Sequence, residues 1–169
     1  MEGSPEIEDL VTQAFDYADR NDFARAQSLA LRVLQSDPKN AGALYLSAFC
    51  LRQLGRSVEA EKAVKNALKL LPDNVVLLLE RGFAEYERQE YEKAIESFDT
   101  VLKHEPKNVD ALKWKIASFR GLRRFDDAKA SAEIALKLVP DNASILVEAG
   151  IADYGREQYD KAIEFFDTA

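Results

Sequence analysis

Cysteine, histidine, methionine and tryptophan each occur once in this chain of 169 residues. A single cysteine, Cys50, cannot close an internal disulfide, which fits a reducing, cytoplasmic setting. One histidine and one thiol leave few zinc ligands and few nucleophiles, so metal-dependent and covalent catalysis are disfavoured. No apolar run approaches the roughly 18 residues of a membrane span. The start, Met1 to Glu6, is acidic and has no apolar stretch, so it does not read as a signal or transit peptide. Lys and Arg number 23 against 30 Asp and Glu, a net charge of −7 with a pI near 4.9. That balance argues against a chain built to bind phosphate backbones. Glycine-rich phosphate loops and metal-ligand spacings are missing. The chain is therefore expected to be non-catalytic, to need no cofactor or metal, and to engage neither nucleic acid nor membrane.

What is present is a period. Apart from Pro5, the prolines are Pro38, Pro72, Pro106 and Pro140, each 34 residues after the last. Proline cannot continue a helix and forces its predecessor out of helical geometry. An asparagine follows two residues later in each case, at Asn40, Asn74, Asn108 and Asn142, placed to cap a new helix. A second break falls midway, at Asn21-Asp22, Gly55-Arg56, Gln89-Glu90, Arg123-Arg124 and Glu157-Gln158. Between breaks, apolar residues recur three and four apart, and strand-like alternation is absent. Each repeat is thus two helices of about 14 residues. Four repeats are full (7–40, 41–74, 75–108, 109–142), and a fifth, 143–169, is incomplete. Together they form a single domain, 1–169.

This pattern resembles the tetratricopeptide repeat (TPR) family, whose 34-residue unit favours particular residues at fixed positions. Position 4 is Leu10, Leu44, Leu78, Leu112 and Leu146; position 8 is Ala14, Ala48, Gly82, Ile116 and Gly150. Position 20 is alanine throughout, at Ala26, Ala60, Ala94, Ala128 and Ala162, and position 32 is the proline. The resemblance covers 7–169. It implies an all-α fold, a right-handed α-solenoid of antiparallel helix pairs, and a role as a protein–protein interaction module or scaffold.

A longer period lies over the first. Residues 82–101 and 150–169 are identical at 12 of 20 positions, and net charge alternates, with the second and fourth repeats basic and the others acidic. At the ends, Ser4-Pro5-Glu6 reads as cap, first-turn proline and first-turn acid. The fifth repeat has no polar capping helix after it, so the chain is expected to be part of a longer repeat protein, or to self-associate end to end through that repeat.

The resemblance also implies which residues face the groove that holds a partner peptide or helix. At position 5 they are Val11, Tyr45, Leu79, Lys113 and Val147; at position 9, Phe15, Phe49, Phe83 and Ile151; at position 12, Arg52, Tyr86, Arg120 and Tyr154. Such a face suits an apolar or amphipathic segment, with Arg52, Lys113 and Arg120 as a basic spot. The family's clamp for chaperone C-terminal carboxylates is matched in none of three windows; its first lysine and asparagine fall on Val11 and Phe15, Tyr45 and Phe49, or Leu79 and Phe83. A competing reading stays open. Position 11, a large buried residue in the family, is Glu85 and Asp153 here, so those helices could instead be rotated, with Phe83 and Ile151 in the core.

Overall fold

The computed structural model describes residues 5–169, so the proposed cap Ser4 lies outside the described residues. Ten helices follow one another: α1 Pro5–Asp19, α2 Phe23–Ser36, α3 Ala41–Gln53, α4 Ser57–Leu70, α5 Val75–Glu87, α6 Tyr91–His104, α7 Val109–Gly121, α8 Phe125–Leu138, α9 Ala143–Gly155 and α10 Tyr159–Thr168. The described residues contain no strand, and no helix is long and apolar enough to cross a membrane. Every helix falls within one of the half-repeats marked by the breaks.

The two kinds of break work differently. Odd-numbered helices after the prolines start at an asparagine whose Oδ1 accepts from a backbone N–H: Asn40 from Ala43 (3.0 Å), Asn74 from Leu77 (3.0 Å), Asn108 from Ala111 (3.0 Å) and Asn142 from Ile145 (3.2 Å). Each bond satisfies one orphan donor of the first turn. At the midway breaks the odd helix ends in a left-handed residue: Asn21 (φ 59°), Gly55 (71°), Gln89 (61°), Arg123 (59°) and Glu157 (62°). The next N–H reaches back five residues, as Asp22 does to the Tyr17 carbonyl (2.8 Å) and Arg124 to the Phe119 carbonyl (2.9 Å). This closure usually uses glycine, yet only one of the five sites has it.

The chain divides into two compact units, Met1–Ala84 and Glu85–Ala169, with the boundary inside α5. In the first unit α1 packs on α2, α2 on α3 and α3 on α4; α1 also packs on α3. In the second, α6, α7, α8, α9 and α10 pack in succession, and α7 also packs on α9. Among the described residues the backbones of α1 and α3, and of α7 and α9, come close, whereas those of α2 and α4, and of α6 and α8, stay further apart. Within each unit the odd helices therefore form the tighter layer. The looser layer leaves a cleft of about 390 Å³ between α6 and α8, lined by Leu102, Leu112, Ile134 and Leu138 with Lys115 at its edge.

The cores run between these layers. Ala14, Ala26, Ala30, Val33, Leu46 and Cys50 build one; Ile116, Ala128, Ala132, Ala135, Ile145 and Ala149 build the other. All five position-20 alanines are buried. Position 8 is traded against position 24. Where position 8 is Ile116, position 24 is Ala132 in the same core; where it is Gly150, position 24 is Phe166. A Cβ on Gly150 would lie 2.5 Å from the Phe166 ring, so any larger residue there must displace that ring. Cys50 is fully buried, which pushes its thiol up to about 11 and keeps it protonated.

Two substitutions separate the turn types. Arg123 is exposed, so Arg123→Gly is expected to relieve the left-handed backbone and stabilise by about 1 kcal/mol. Asn108→Ala removes a cap and is expected to destabilise by about 1 kcal/mol. Urea unfolding midpoints at constant m-value measure both.

Candidate functional site

The residues at positions 5, 9 and 12 sit on the odd helices, one turn apart, and emerge on the odd-helix side of each unit. In the first unit, Val11, Tyr45, Phe49, Leu79 and Phe83 are half-buried and Phe15 is exposed. Their rings form a row. Phe15 stacks near Tyr45 (centroids 6.3 Å apart), Tyr45 stacks on Phe49 (5.5 Å), and Phe23 of α2 meets the edge of Phe49 (5.9 Å). Such offset and edge contacts fix the ring positions, with Phe15 the most exposed of the rings.

Arg52 closes this row. Its guanidinium lies over Phe49 (5.5 Å) and over Phe83 (5.6 Å). Its Nε donates to Glu80 Oε1 at 2.5 Å, and Glu80 is 2% exposed. A carboxylate so deeply buried is held only because a cation reaches it. Burial, and after it the same Glu80 charge, raises the Tyr45 phenol above its ordinary value, with Arg52 opposing.

The second unit repeats the arrangement with changes. Arg120 and Glu148 stand 28 residues apart, as do Arg52 and Glu80. Arg120 Nη2 approaches Glu148 Oε2 at 2.9 Å, but off axis, so Arg120 Nε and Glu148 Oε2 are buried without a hydrogen-bond partner. Burial raises the Glu148 carboxyl above the usual carboxylate range, and the neighbouring Arg120 and Lys113 only partly offset it. In place of the aromatic row stand Lys113, with its ammonium 5.5 Å from the Trp114 ring, and Tyr86, edge-on to Trp114 at 4.8 Å. Tyr86 and Trp114 are again 28 residues apart. Val147 and Tyr154 are exposed and Ile151 is half-buried.

Two expectations change here. The helices are not rotated: position 8 is buried in every repeat, Phe83 and Ile151 are half-buried rather than core, and the odd acids are satisfied where they stand. Asp153, fully buried, accepts from Lys129 Nζ (2.6 Å) and Arg156 Nη1 (2.9 Å); Glu85 accepts from Ser97 Oγ (2.5 Å). The basic spot is also less basic than its residues suggest, because Arg52 and Arg120 already face internal glutamates. The spacing of 28 carried that signal in the sequence, as an arginine at position 12 opposite a glutamate at position 6 of the following repeat.

Comparison with known proteins agrees with this architecture. Models of the tetratricopeptide repeat match residues 17–81, 77–108 and 115–169. The human protein named DnaJ homolog subfamily C member 7 is 25% identical over 162 residues, covering 86% of this chain. The chain spans about a third (33%) of that relative's length. Among solved structures, "MamA RS-1 ArsTM double mutant" superposes with a TM-score of 0.82 at 16% identity, covering 98% of this chain and 93% of that one. "MamA 41-end from Desulfovibrio magneticus RS-1" gives 0.82 at 16% identity, covering 97% and 93%. At such identities the likeness is one of fold.

The two glutamates are expected to respond differently. Glu80→Gln leaves the Arg52 charge without its carboxylate and is expected to cost about 3 kcal/mol in urea unfolding. The folded-state pKa of Glu148 is raised, so in the window between its ordinary and raised values the folded state binds more protons than the unfolded. Its contribution is present below that window and is lost as pH rises through it. The stability of the parent relative to Glu148→Gln is therefore expected to increase on acidification across the window, as followed by paired pH–urea titrations.

Proposed function

Starting from the chain's membership of the tetratricopeptide repeat family, we propose that it is a non-catalytic interaction scaffold whose odd-helix face holds a polypeptide partner. The observation that carries this reading is the row of Phe15, Tyr45, Phe49 and Phe83. These rings are positioned by each other and by Arg52, yet they keep exposed apolar surface on one side of the first unit. Rigid aromatic anchors with a ready-made backdrop are what partner side chains bury against at modest entropic cost. In the second unit Lys113, Val147, Ile151 and Tyr154 offer a more polar continuation of the same register. The assigned contacts are thus Val11, Phe15, Tyr45, Phe49, Leu79 and Phe83 in one unit, and Tyr86, Lys113, Val147, Ile151 and Tyr154 in the other, with Arg52 and Arg120 as positioning residues.

A second reading rests on α10, where Tyr159, Ile163 and Phe166 are 53%, 55% and 42% exposed. Three large apolar residues along one short helix suit the stacking of a further repeat or of a second copy. Head-to-tail stacking on α1 is disfavoured, because that helix's free side carries Asp9, Thr12, Gln13 and Asp16.

The reading is tested with the most exposed face residues, whose loss leaves the cores intact. Phe15→Ser and Tyr154→Ser are expected to lower partner recovery in affinity capture at least fivefold, with unchanged helical circular dichroism and melting. Recovery of the same partners at the same yield by both variants would move function off the odd-helix face. For α10, Ile163→Glu is expected to abolish any concentration-dependent rise in mass measured by light scattering.

A further inference from the structure

The acids of the first unit are concentrated on one inner-layer helix, while α3 beside it carries only Arg52. Helix α1 carries Glu6, Glu8, Asp9, Asp16 and Asp19 and no basic residue. Helix α2, in the outer layer, carries Arg25 and Arg32 and no acid. Helix α4 adds Lys62, Lys65 and Lys69 against Glu59 and Glu61. The acids of α1 therefore belong to the layer that bears the aromatic row.

Two of them flank Val11 and Phe15, at the α1 end of that row. Glu8, Val11, Phe15 and Asp19 are spaced three, four and four residues apart, which puts them in a stripe about 80° wide on one side of α1. Val11 and Phe15 in that stripe face α3: a Cβ on Gly42 would lie 3.4 Å from Val11 and 3.5 Å from Phe15. Asp19 acts electrostatically on Tyr45. Among the described residues, neither Glu8 nor Asp19 has a basic side chain within ion-pair distance. Arg52, the cation nearest the row's far end, is engaged by Glu80.

We propose that the occupant of the first unit's inner face is a polypeptide segment whose apolar side chains are bracketed by lysine or arginine. This deepens, and rests on, the reading that the odd-helix face is the binding surface. The apolar side chains cover Phe15, Tyr45 and Phe49. The flanking cations meet Glu8 and Asp19, which the helical rise sets about 16 Å apart. That separation corresponds to roughly five residues of extended chain or three turns of helix. An acidic segment would place carboxylates against Glu8 and Asp19 with Arg52 already committed.

The test uses two fluorescein-labelled 16-residue peptides with the same leucine pattern, one filled with lysine and the other with glutamate. Anisotropy is recorded at low and at physiological salt. The Leu/Lys peptide is expected to bind at least tenfold tighter than the Leu/Glu peptide and to weaken with salt. Glu8→Gln with Asp19→Asn is expected to weaken it five- to tenfold. Glu133→Gln with Glu164→Gln removes the same charge from exposed sites on α8 and α10 and is expected to change it less than twofold. Equal loss in the two double variants would overturn the charge assignment. Equal binding of both peptides, lost in Phe15→Ser, would overturn it while the inner-face reading stood. Binding of the Leu/Lys peptide indifferent to both Phe15→Ser and the Glu8/Asp19 variant would overturn the two together.

Discussion

Everything in this fold follows from how closely paired helices approach. A repeat of two short helices has too little surface to bury a core of its own, so the contact between its helices must be tight enough to be continued by the next pair. Alanine at position 20, buried in all five repeats, sets that distance. Opposite it the packing is adjustable, with volume moved between positions 8 and 24, as Ile116 with Ala132 and Gly150 with Phe166 show. The third, fourth and fifth repeats thus keep a similar total with different residues, whereas the first has alanine at both positions, Ala14 and Ala30. The larger side chains at positions 5, 9 and 12 stay outside this close contact, half-buried or exposed, whereas Ala18 and Ala117 at the same positions are buried.

The face so produced is not a bare apolar strip. Burying Glu80 beside Arg52 costs solvation of both charges, and the pair recovers it only through short, well-aligned contact. In return the guanidinium is fixed between Phe49 and Phe83, so part of the aromatic row is held in place before any partner arrives. Glu148 and Arg120 leave two polar atoms without a hydrogen bond, and burial raises the Glu148 carboxyl despite the arginine beside it. Two equivalent positions thus differ in contact geometry although their residue types are the same.

The fold could be read almost wholly from residue spacing. Prolines and asparagines marked one class of turn, and the asparagine oxygens cap the helices they precede. The midway breaks were also legible, but not their geometry, since Gln89, Arg123 and Glu157 give no sign of a left-handed backbone. The closure is imposed by the next helix, which overrides the residue's own preference. The odd acids misled in the other direction. Asp153 looked like a reason to rotate α9, because a lone carboxylate does not belong in a core. Its partners Lys129 and Arg156 lie 24 residues before it and three after, and one sequence gives no sign that they converge. The site residues were placed by register alone. Their alignment into stacked rings and ion pairs depends on contacts between repeats, which spacing within a repeat does not contain.

The separation of 28 residues that joins Arg52 to Glu80, Tyr86 to Trp114 and Arg120 to Glu148 sets a rule for how a gene of this kind can grow or shrink. Excising the 34 codons for residues 75–108 would bring Arg52 opposite Trp114, a cation with no carboxylate to receive it. Excising the 68 codons for 75–142 would bring it opposite Glu148 and restore a matched junction. Steps of two repeats keep this match and steps of one break it. The heritable module is the pair, even though the structural module is the single helical hairpin.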